Sequence, residues 1–342
     1  MANLRDQLAS EDIKRSIFHS TLAYILSSSF RLDRLLLFRI ACAGRVVGFV
    51  EQTNPAMTLT YLSSGADPHC NDDHVAVFSA PGVTDLLVID GGTSVAERDY
   101  IEPDIGDVAW FVRSFAAEIG RNARADRSQQ ESVDAAVAAV RTAFEQAGGH
   151  EPVPVHAWPI AALTWVRIAQ HGRRSTASLY SLGDCKTLLR TPDGAVCDPD
   201  PFSNPQEAVL QAEIARLRAE GVTDAAQRRE RMLPMLRARR EAQNLSPAPT
   251  VLCVQPHGSF QARMRSFELA PGAALLVMTD GFYRLVDTYG LHTDAGLIAH
   301  AEARGLEAVL EELRTFEQAT GNTGERAVKA ADDASAAFWL AR

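Results

Sequence analysis

The sequence has no closely spaced cysteines, no surplus of basic charge and no long uncharged apolar run, and each shortage excludes a class of protein. Its five cysteines are scattered and form no C-x-x-C pair, so neither a disulfide framework nor a zinc site is indicated, and we expect a cytoplasmic location. The formal net charge of −9 argues against a nucleic-acid partner bound by bulk electrostatics. No G-x-S-x-G sequence is present, which argues against a serine nucleophile.

The N-terminal region is fairly apolar over residues 17–50, but it does not indicate a membrane segment. Charged residues interrupt it, so no uncharged stretch of about 18 residues is available to cross a bilayer. Three of these interruptions are Arg31, Arg34 and Arg39. A signal peptide is not indicated either, because polar residues divide the first apolar run. We interpret residues 1–56 as a poorly ordered N-terminal extension and residues 57–342 as the folded domain.

The remaining sequence has the composition of a soluble globular protein and a pattern of paired strands. Hydrophobic residues make up 46% of the chain, which is enough for a sizeable core. Apolar or alternating runs predict strands at 57–63, 73–79, 84–90, 161–169, 176–182, 250–255, 263–269, 275–278 and 335–341. Helices are predicted at 106–122, 131–149, within 205–243 and near 293–318. Because strands and helices occur in adjacent pairs, we expect an α+β fold with antiparallel sheets and a helical insertion at about 203–245.

Carboxylates stand at the boundaries of four of these strands. Asp90 and Asp280 each end an apolar strand and precede a glycine, Asp332 comes just before the last strand, and Asp72 and Asp73 precede the strand at 73–79. Each could be a turn residue satisfied by local amides. If they converge, each like-charged pair costs roughly 4 kcal/mol at 4 Å in a medium of effective dielectric constant near 20. Such a cluster would require a hard divalent cation, which prefers oxygen ligands.

Five segments, in this order, resemble the metal-dependent protein phosphatases of the PPM (protein phosphatase 2C-like) family, in a divergent bacterial form. They are CNDDHVAVF (70–78), LLVIDGGTS (86–94), SLGDCKTLL (181–189), LLVMTDGFYRLVD (275–287) and ADDASAAFW (331–339). The resemblance covers residues 57 to 342. It implies a four-layer α-β-β-α sandwich of two antiparallel sheets flanked by helices, with a metal site at one edge.

The resemblance also implies a set of metal ligands and an activity. Asp90 would bridge two Mg²⁺ or Mn²⁺ ions, the carbonyl of Gly91 would bind one of them, and Asp280 and Asp332 would bind the other. Metal-bound waters would be held by Asp72 and Asp73, and a third ion by Asp184. The implied reaction is hydrolysis of a phosphomonoester, on phosphoserine or phosphothreonine of a protein or on a small molecule, by a metal-activated water. The binding of nucleic acid or membrane is not expected.

The chain departs from the family where phosphate is usually bound. Pro68 stands where many members carry an arginine that grips phosphate, and Gly92 where many carry a histidine. His69 and Arg284 are therefore the candidates for contact with the substrate phosphate. We interpret the many arginines of the insertion as a solvated helix face with Glu–Arg pairs rather than as a lid. Histidines 156, 171, 257, 292 and 300 have no metal-ligand spacing and are interpreted as surface or loop residues.

Two alternatives stay open. Loss of the phosphate arginine would also fit a catalytically idle relative that keeps the fold for binding or regulation. The segment IDGGTS (89–94) resembles the first phosphate loop of sugar kinases and actin-like ATPases, in which glycines and hydroxyls cradle nucleotide phosphate. That interpretation needs a second glycine-rich loop, for which LGDCKT (182–187) is a poor candidate.

Overall fold

Two antiparallel sheets lie at the centre of the structure. The structure is a computed structural model, and it describes residues 35–42, 45–52, 57–67, 70–148, 152–172, 174–320 and 331–342. The helices and strands belong to a compact unit that spans 36–342. The strands are β1 (Leu35–Cys42), β2 (Arg45–Gln52), β3 (Met57–Ser64), β4 (His74–Ala80), β5 (Val83–Gly91), β6 (Ile160–His171), β7 (Arg174–Leu182), β8 (Lys186–Arg190), β9 (Val196–Cys197), β10 (Leu252–Cys253), β11 (Arg263–Leu269), β12 (Ala274–Met278) and β13 (Ala334–Ala341). One sheet has the order β1-β2-β3-β13-β12-β8-β9, and the other has the order β11-β7-β6-β5-β4, with β10 paired to β6.

Helices cover the outer face of each sheet. They are α1 (Asp107–Asn122), α2 (Gln129–Ala147), α3 (Pro205–Ala219), α4 (Ala225–Asn244), α5 (Asp280–Asp287), α6 (Asp294–Arg304) and α7 (Leu306–Thr320). Helices α1 and α2 pack on β5 and β6, and α5, α6 and α7 pack on β12 and β13. A third apolar cluster lies between the sheets. The layers therefore run helix, sheet, sheet, helix, as the sequence resemblance implies, and the expected α+β fold class is confirmed.

Burial on both faces explains why the central strands are apolar at every position. In β5, Leu86 and Val88 point between the sheets, whereas Leu87 and Ile89 face α1 and α2. Strand β12 has the same alternation, and all of its five residues are buried. A strand covered on only one face would alternate with polar residues. The first polar groups after these runs therefore lie at the strand ends, and this is where the site is found.

One segment differs from the domain organisation expected from the sequence, and another agrees with it. The sheet continues to the N-terminal side of Met57, because β2 pairs antiparallel with β3, so residues 45–52 extend the sheet although they fall within the N-terminal extension expected at 1–56. Helices α3 and α4 occupy the segment for which a helical insertion was expected. They form a small apolar cluster of their own around Ile214 and Met232. Within the described residues, no helix is both long and apolar enough to span a bilayer.

Candidate metal centre

The ends of four strands from both sheets bring acidic side chains to one place. Asp73 directly precedes β4 and Asp90 lies near the end of β5, in one sheet, whereas Asp280 follows β12 and Asp332 precedes β13, in the other. The two sheets meet here, because the backbone N–H of Asp280 donates to Oδ2 of Asp90 over 3.4 Å. Asp280 is exposed and Asp90 half-buried, so solvent and ligands can reach this cluster.

Asp73 is the most buried of these carboxylates. Its side chain is 3% exposed, and Oδ2 accepts a hydrogen bond of 2.9 Å from the hydroxyl of Thr279. Thr279 is the residue between β12 and α5, and it is fixed in turn by the backbone N–H of Ser335, which donates to its hydroxyl over 3.0 Å. The start of β4 is thereby tied to the ends of β12 and β13. This hydrogen bond fixes one carboxylate oxygen of Asp73.

Asp332 is paired with a cation of this chain. Nη2 of Arg284, on α5, donates to Oδ2 of Asp332 over 2.8 Å. The side chain of Arg284 is 13% exposed, and its Nη1 has no hydrogen-bond partner among the described residues. Arg284 was a candidate for phosphate contact from the sequence. The structure places one of its nitrogens on a candidate metal ligand and leaves another buried and free to donate.

Asp333 is a residue whose role the sequence did not suggest. Its Oδ1 accepts from the backbone N–H of Ala66 over 2.8 Å, and its Oδ2 accepts from that of Asp72 over 2.7 Å. Both oxygens are thus used to hold the loop before β4 against the start of β13. Pro68 and His69 lie outside the described residues. Asp72 is half-buried beside the cluster, and its position depends on Asp333.

Two glycines allow the strand ends to approach each other. A Cβ on Gly281 would lie 1.9 Å from the carbonyl oxygen of Asp333, and one on Gly91 would lie 2.4 Å from that of Asp72. No side chain fits at either position without moving the backbone. The two glycines bring the backbone close to the residues that precede β4 and β13, and this contact sets the positions of Asp90 and Asp280.

Asp184 lies beside the cluster, in the turn between β7 and β8. It follows Gly183, which has a positive φ of 75°. Its Oδ2 accepts from Nδ2 of Asn204 over 2.7 Å, and Asn204 caps the N-terminus of α3. The insertion therefore begins on a residue that touches this carboxylate.

Burial and mutual repulsion raise the pKa of the clustered carboxyl groups. Burial and the charge of Asp333 raise the pKa of Asp73 well above its usual value, and burial and Asp280 do the same for Asp90. The pKa of Asp280 is raised to about 7, first by desolvation of its carboxyl group and then by the charge of Asp332, although Arg284 opposes the shift. In each of the three shifts desolvation is the largest cause, and repulsion from neighbouring carboxylates adds to it.

Helix α4 covers the loop that follows Asp90 and Gly91. The sequence analysis assigned none of its arginines a contact with this loop. Nη2 of Arg240 donates to the carbonyls of Gly92 and Thr93 over 3.2 and 3.0 Å. The next two carbonyls accept from Arg229 and Arg237 over 2.9 Å each. Glu–Arg pairs do occur in the insertion, as expected, around Arg216 on α3. The sequence does distinguish α4 from a solvated helix with Glu–Arg pairs, because α4 contains more arginines than acidic residues.

The donor set fits Mg²⁺ or Mn²⁺, because every candidate ligand is a carboxylate or carbonyl oxygen. Within the part of the chain that the structure describes, no three of these carboxylates place one oxygen each within 4.8 Å of one another. The distances between these carboxylate oxygens are longer than in direct binding of one ion by three carboxylates. They suit ions that keep part of their water shell, as Mg²⁺ does. The set lacks imidazole and thiolate, which softer ions prefer.

Fold and site together define a class: a two-sheet sandwich with a carboxylate centre where the sheets meet. The structure is similar to the S. agalactiae serine/threonine phosphatase, at 13% identity and a TM-score of 0.47, over 84% of this chain and 100% of that one. It is similar to the catalytic domain of the serine threonine protein phosphatase PstP in complex with two manganese ions, at 14% identity and a TM-score of 0.44, over 84% and 98%.

RsbX in complex with magnesium is a third similar structure, at 10% identity and a TM-score of 0.45, over 90% of this chain and 100% of that one. A scan against protein-family models and a search of curated proteins gave no match. Two of these three similar structures are named as serine/threonine phosphatases. With identities of 10–14% and TM-scores below 0.5, these similarities do not bear on the chemistry of the site.

Proposed function

We propose that this protein is a metal-dependent phosphomonoester hydrolase whose substrates are phosphoserine and phosphothreonine side chains of proteins in the cytoplasm. The observation that carries the proposal is the convergence of Asp73, Asp90 and Asp280 from two sheets. Their pKa values are raised by burial and then by neighbouring carboxylates. Carboxylates in such a cluster repel each other unless cations join them. The fold brings these carboxylates together despite their repulsion and leaves the site open to solvent. Divalent ions that take part in catalysis explain both features best.

Each residue then has a role that follows from its position. Asp90, Asp280 and Asp332, with the carbonyl of Gly91, would hold two Mg²⁺ or Mn²⁺ ions, with Asp72, Asp73 and, for a third ion, Asp184 acting on metal-bound waters. Bound there, the ions would lower the pKa of a water and neutralise charge on phosphoryl oxygens. The protein's part is to position the ligands: Asp333 holds Asp72, and Thr279 holds Asp73.

Two arginines offer buried donors for a phosphoryl group in place of the arginine that Pro68 replaces. Among the described residues, Nη1 of Arg284, beside Asp332, and the buried Nε of Arg239, on α4, have no hydrogen-bond partner. Burial lowers the pKa of Arg239, and the charges of Asp184 and Glu207 oppose this shift. A guanidinium with unused donors in this setting is suited to a phosphate dianion.

The test is Mn²⁺-dependent hydrolysis of a chromogenic phosphate ester and of a phosphothreonine peptide. We expect activity in the wild type and a loss of at least about 100-fold in Asp280→Asn, because one ligand of the ion is removed. Asp104→Asn is the matched control, since Asp104 is an exposed carboxylate outside the cluster. Equal activity of wild type and Asp280→Asn would contradict the proposal.

A catalytically idle, regulatory protein is the second candidate, and one observation favours it. The ion pair of Arg284 with Asp332 supplies a cation from the chain itself, which lets part of the cluster persist without metal. In that case Mn²⁺ would bind weakly and give no turnover, and Asp90→Asn would behave like the wild type in both respects. The same titration thus separates the two candidates.

The nucleotide-binding alternative has no support at residues 89–94. The backbone N–H of Gly92 donates to the carbonyl of Ile160 over 2.9 Å, so it is not available to cradle a phosphate. The carbonyls that follow accept from the arginines of α4. This loop is anchored to its own chain on both sides.

A further inference from the structure

Three potential metal ligands meet on the outer face of the first sheet, among α5, α6 and α7 and away from the carboxylate cluster. His292 lies in the connection between α5 and α6, His300 on α6 and Glu312 on α7. One ligand atom from each lies within 4.8 Å of the other two. We propose that His292, His300 and Glu312 form a second metal site, selective for Zn²⁺ or an ion of similar preference.

Both imidazoles are directed at the same carboxylate oxygen. Nε2 of His292 lies 3.0 Å from Oε2 of Glu312, and Nε2 of His300 lies 3.9 Å from that oxygen. With metal–ligand bonds of about 2.0–2.1 Å, two ligands of a tetrahedral zinc ion are roughly 3.3 Å apart. The two observed distances bracket this value. Shifts on the order of half an ångström would bring each pair to it.

The backbone around these residues is held by packing and hydrogen bonds. The N–H groups of Leu291 and His292 both donate to the carbonyl of Leu285, over 2.8 and 3.0 Å, which fixes the connection after α5. Thr293 caps α6 through the N–H of Gly296. Beneath the three ligands, α6 and α7 pack their apolar faces into the core cluster of the first sheet. Three ligands on fixed elements lose little freedom when an ion binds, which favours affinity.

Exposure leaves room for the ion to enter. The side chains of His292, His300 and Glu312 are 14%, 30% and 35% exposed. Three protein ligands with an open side are the arrangement in which zinc takes a water as its fourth ligand. Two imidazoles and one carboxylate suit Zn²⁺, Co²⁺ or Ni²⁺, whereas Mg²⁺ prefers oxygen alone. The two centres of this protein would therefore select different metals.

His156 shows how this cluster differs from an ordinary His–Glu contact. It also lies between two carboxylates, but its Nδ1 faces Glu241 and its Nε2 faces Glu97, over 3.3 and 3.2 Å. Opposite nitrogens of one ring cannot bind one ion. At the His292 cluster, by contrast, two rings from different elements lie near one carboxylate oxygen, so one atom from each of the three side chains can bind the same ion.

A bound ion would fasten α7 to α6 and to the end of α5. Helix α7 carries Arg314, whose Nη1 donates to the backbone carbonyl of Asp332 over 2.8 Å and whose Nη2 donates to that of Ser64 over 3.0 Å. The ion would thus stabilise the helix that supports the start of β13. Its expected role is structural, and it does not require the protein to be a phosphatase.

The experiment is Co²⁺ and Zn²⁺ titration of the full chain. Four-coordinate Co²⁺ absorbs visible light strongly, whereas Co²⁺ in an all-oxygen, six-coordinate centre absorbs weakly, so the two sites are distinguished by spectrum. We expect one equivalent of strongly absorbing Co²⁺, displaced by Zn²⁺, and a rise of the melting temperature with Zn²⁺. His300→Ala and Glu312→Gln should each weaken this binding at least about tenfold, and the zinc-dependent rise should be lost with it.

Two controls make the result decisive. His171→Ala changes an exposed histidine at the end of β6 and should give the strongly absorbing Co²⁺ signal of the wild type. Asp280→Asn, which alters only the carboxylate centre, should give the same strong signal. The proposal is overturned if the wild type gives no strongly absorbing Co²⁺. It is equally overturned if Glu312→Gln, which preserves the size of the side chain, binds as the wild type does.

Discussion

At the scale of the residue, Arg284 has two opposing effects on the carboxylate centre. It neutralises part of the negative charge through its ion pair with Asp332, and it competes with any metal for the same oxygen. Burial alone would lower the pKa of Arg284, but the charges of Asp332 and Asp280 raise it. The guanidinium is therefore charged whenever the carboxylates are, and it remains a competitor at every pH of interest.

Replacing Arg284 should separate these effects. In chelator, we expect Arg284→Met to lower the free energy of unfolding by about 1–3 kcal/mol, because Asp332 loses its ion pair with Arg284 while part of its charge stays solvated. Mn²⁺ should bind the variant more tightly, because Arg284 no longer competes for Oδ2 of Asp332. Denaturant unfolding and Mn²⁺ titration measure both quantities, with Arg265→Met, an exposed arginine on β11, as control. Weaker Mn²⁺ binding in Arg284→Met would show that Asp332 is not a metal ligand.

A residue could be assigned a role from the sequence where the pattern that marks it is local. It could not where its partners lie far away along the chain. Asp90 and Asp280 could be found, because each is the first charged residue after a run of buried apolar residues. Asp333 could not be given its role, since its partners at positions 66 and 72 are defined only by the fold. His292 and His300 were interpreted as surface or loop residues without a ligand role. Their spacing spans a helix start, and Glu312 lies on the next helix.

At the scale of the element, helix α4 acts as a support for the loop at 92–95. Three of its arginines donate to four consecutive carbonyls of that loop. Burial lowers the pKa of Arg240 to about 10, with Arg239 adding to the shift. Arg240 is thus buried and donates to backbone carbonyls. This differs from the solvated helix face that was expected from the sequence.

Arg240→Met should loosen this loop while keeping most of the apolar stem. We expect stability to fall by about 1–3 kcal/mol, because two carbonyls lose a charged donor. Activity per folded molecule should also fall, since the loop follows directly from Asp90 and Gly91. Arg231→Met, an exposed residue on the same helix, is the control. Hydrogen exchange of the amides at 92–96 should rise in Arg240→Met only; unchanged exchange there would rule out the supporting role.

Among the elements, most strands and helices of residues 57–342 were predicted from the sequence, and two short strands differ from the prediction. Strand β8, Lys186–Arg190, was not predicted as a strand, because five residues with a charge at each end carry little periodic signal. The strand predicted at 250–255 is only Leu252–Cys253 in the structure. Both short strands are formed by pairing with a neighbour, β12 and β6 respectively. Such strands depend on tertiary contacts that no local pattern contains.

At the scale of the whole molecule, the carboxylate centre links stability to pH and to metal. In the folded protein the pKa of Asp280 is about 7, above its usual value, and those of Asp73 and Asp90 are also raised. The folded state therefore holds more protons than the unfolded chain between about pH 4 and pH 7. Stability from these groups is fully present below the unfolded pKa and is lost as the pH rises through the folded one.

In chelator, we therefore expect the free energy of unfolding to fall as the pH rises from about 4 to about 7 and to level off above that. Saturating Mn²⁺ should remove or reverse this fall, because the ion compensates the ionised carboxylates. Asp280→Asn should flatten the metal-free profile, since one of the titrating groups is gone. Urea unfolding at several pH values, with and without Mn²⁺, measures this. A wild-type profile in chelator that rises over the same range would mean that the carboxylates do not repel one another.

The position of β13 has a consequence for how the protein is made. Its residues, 334–341, form a strand between β3 and β12, and the residues just before it supply Asp332 and Asp333. Until the ribosome has released this segment and the two aspartates before it, β3 and β12 lack the strand that joins them, and the amides of Ala66 and Asp72 lack their acceptor. A nascent chain therefore cannot assemble the centre early, and a molecule that ends before Asp332 would lack two of its carboxylates as well as a central strand.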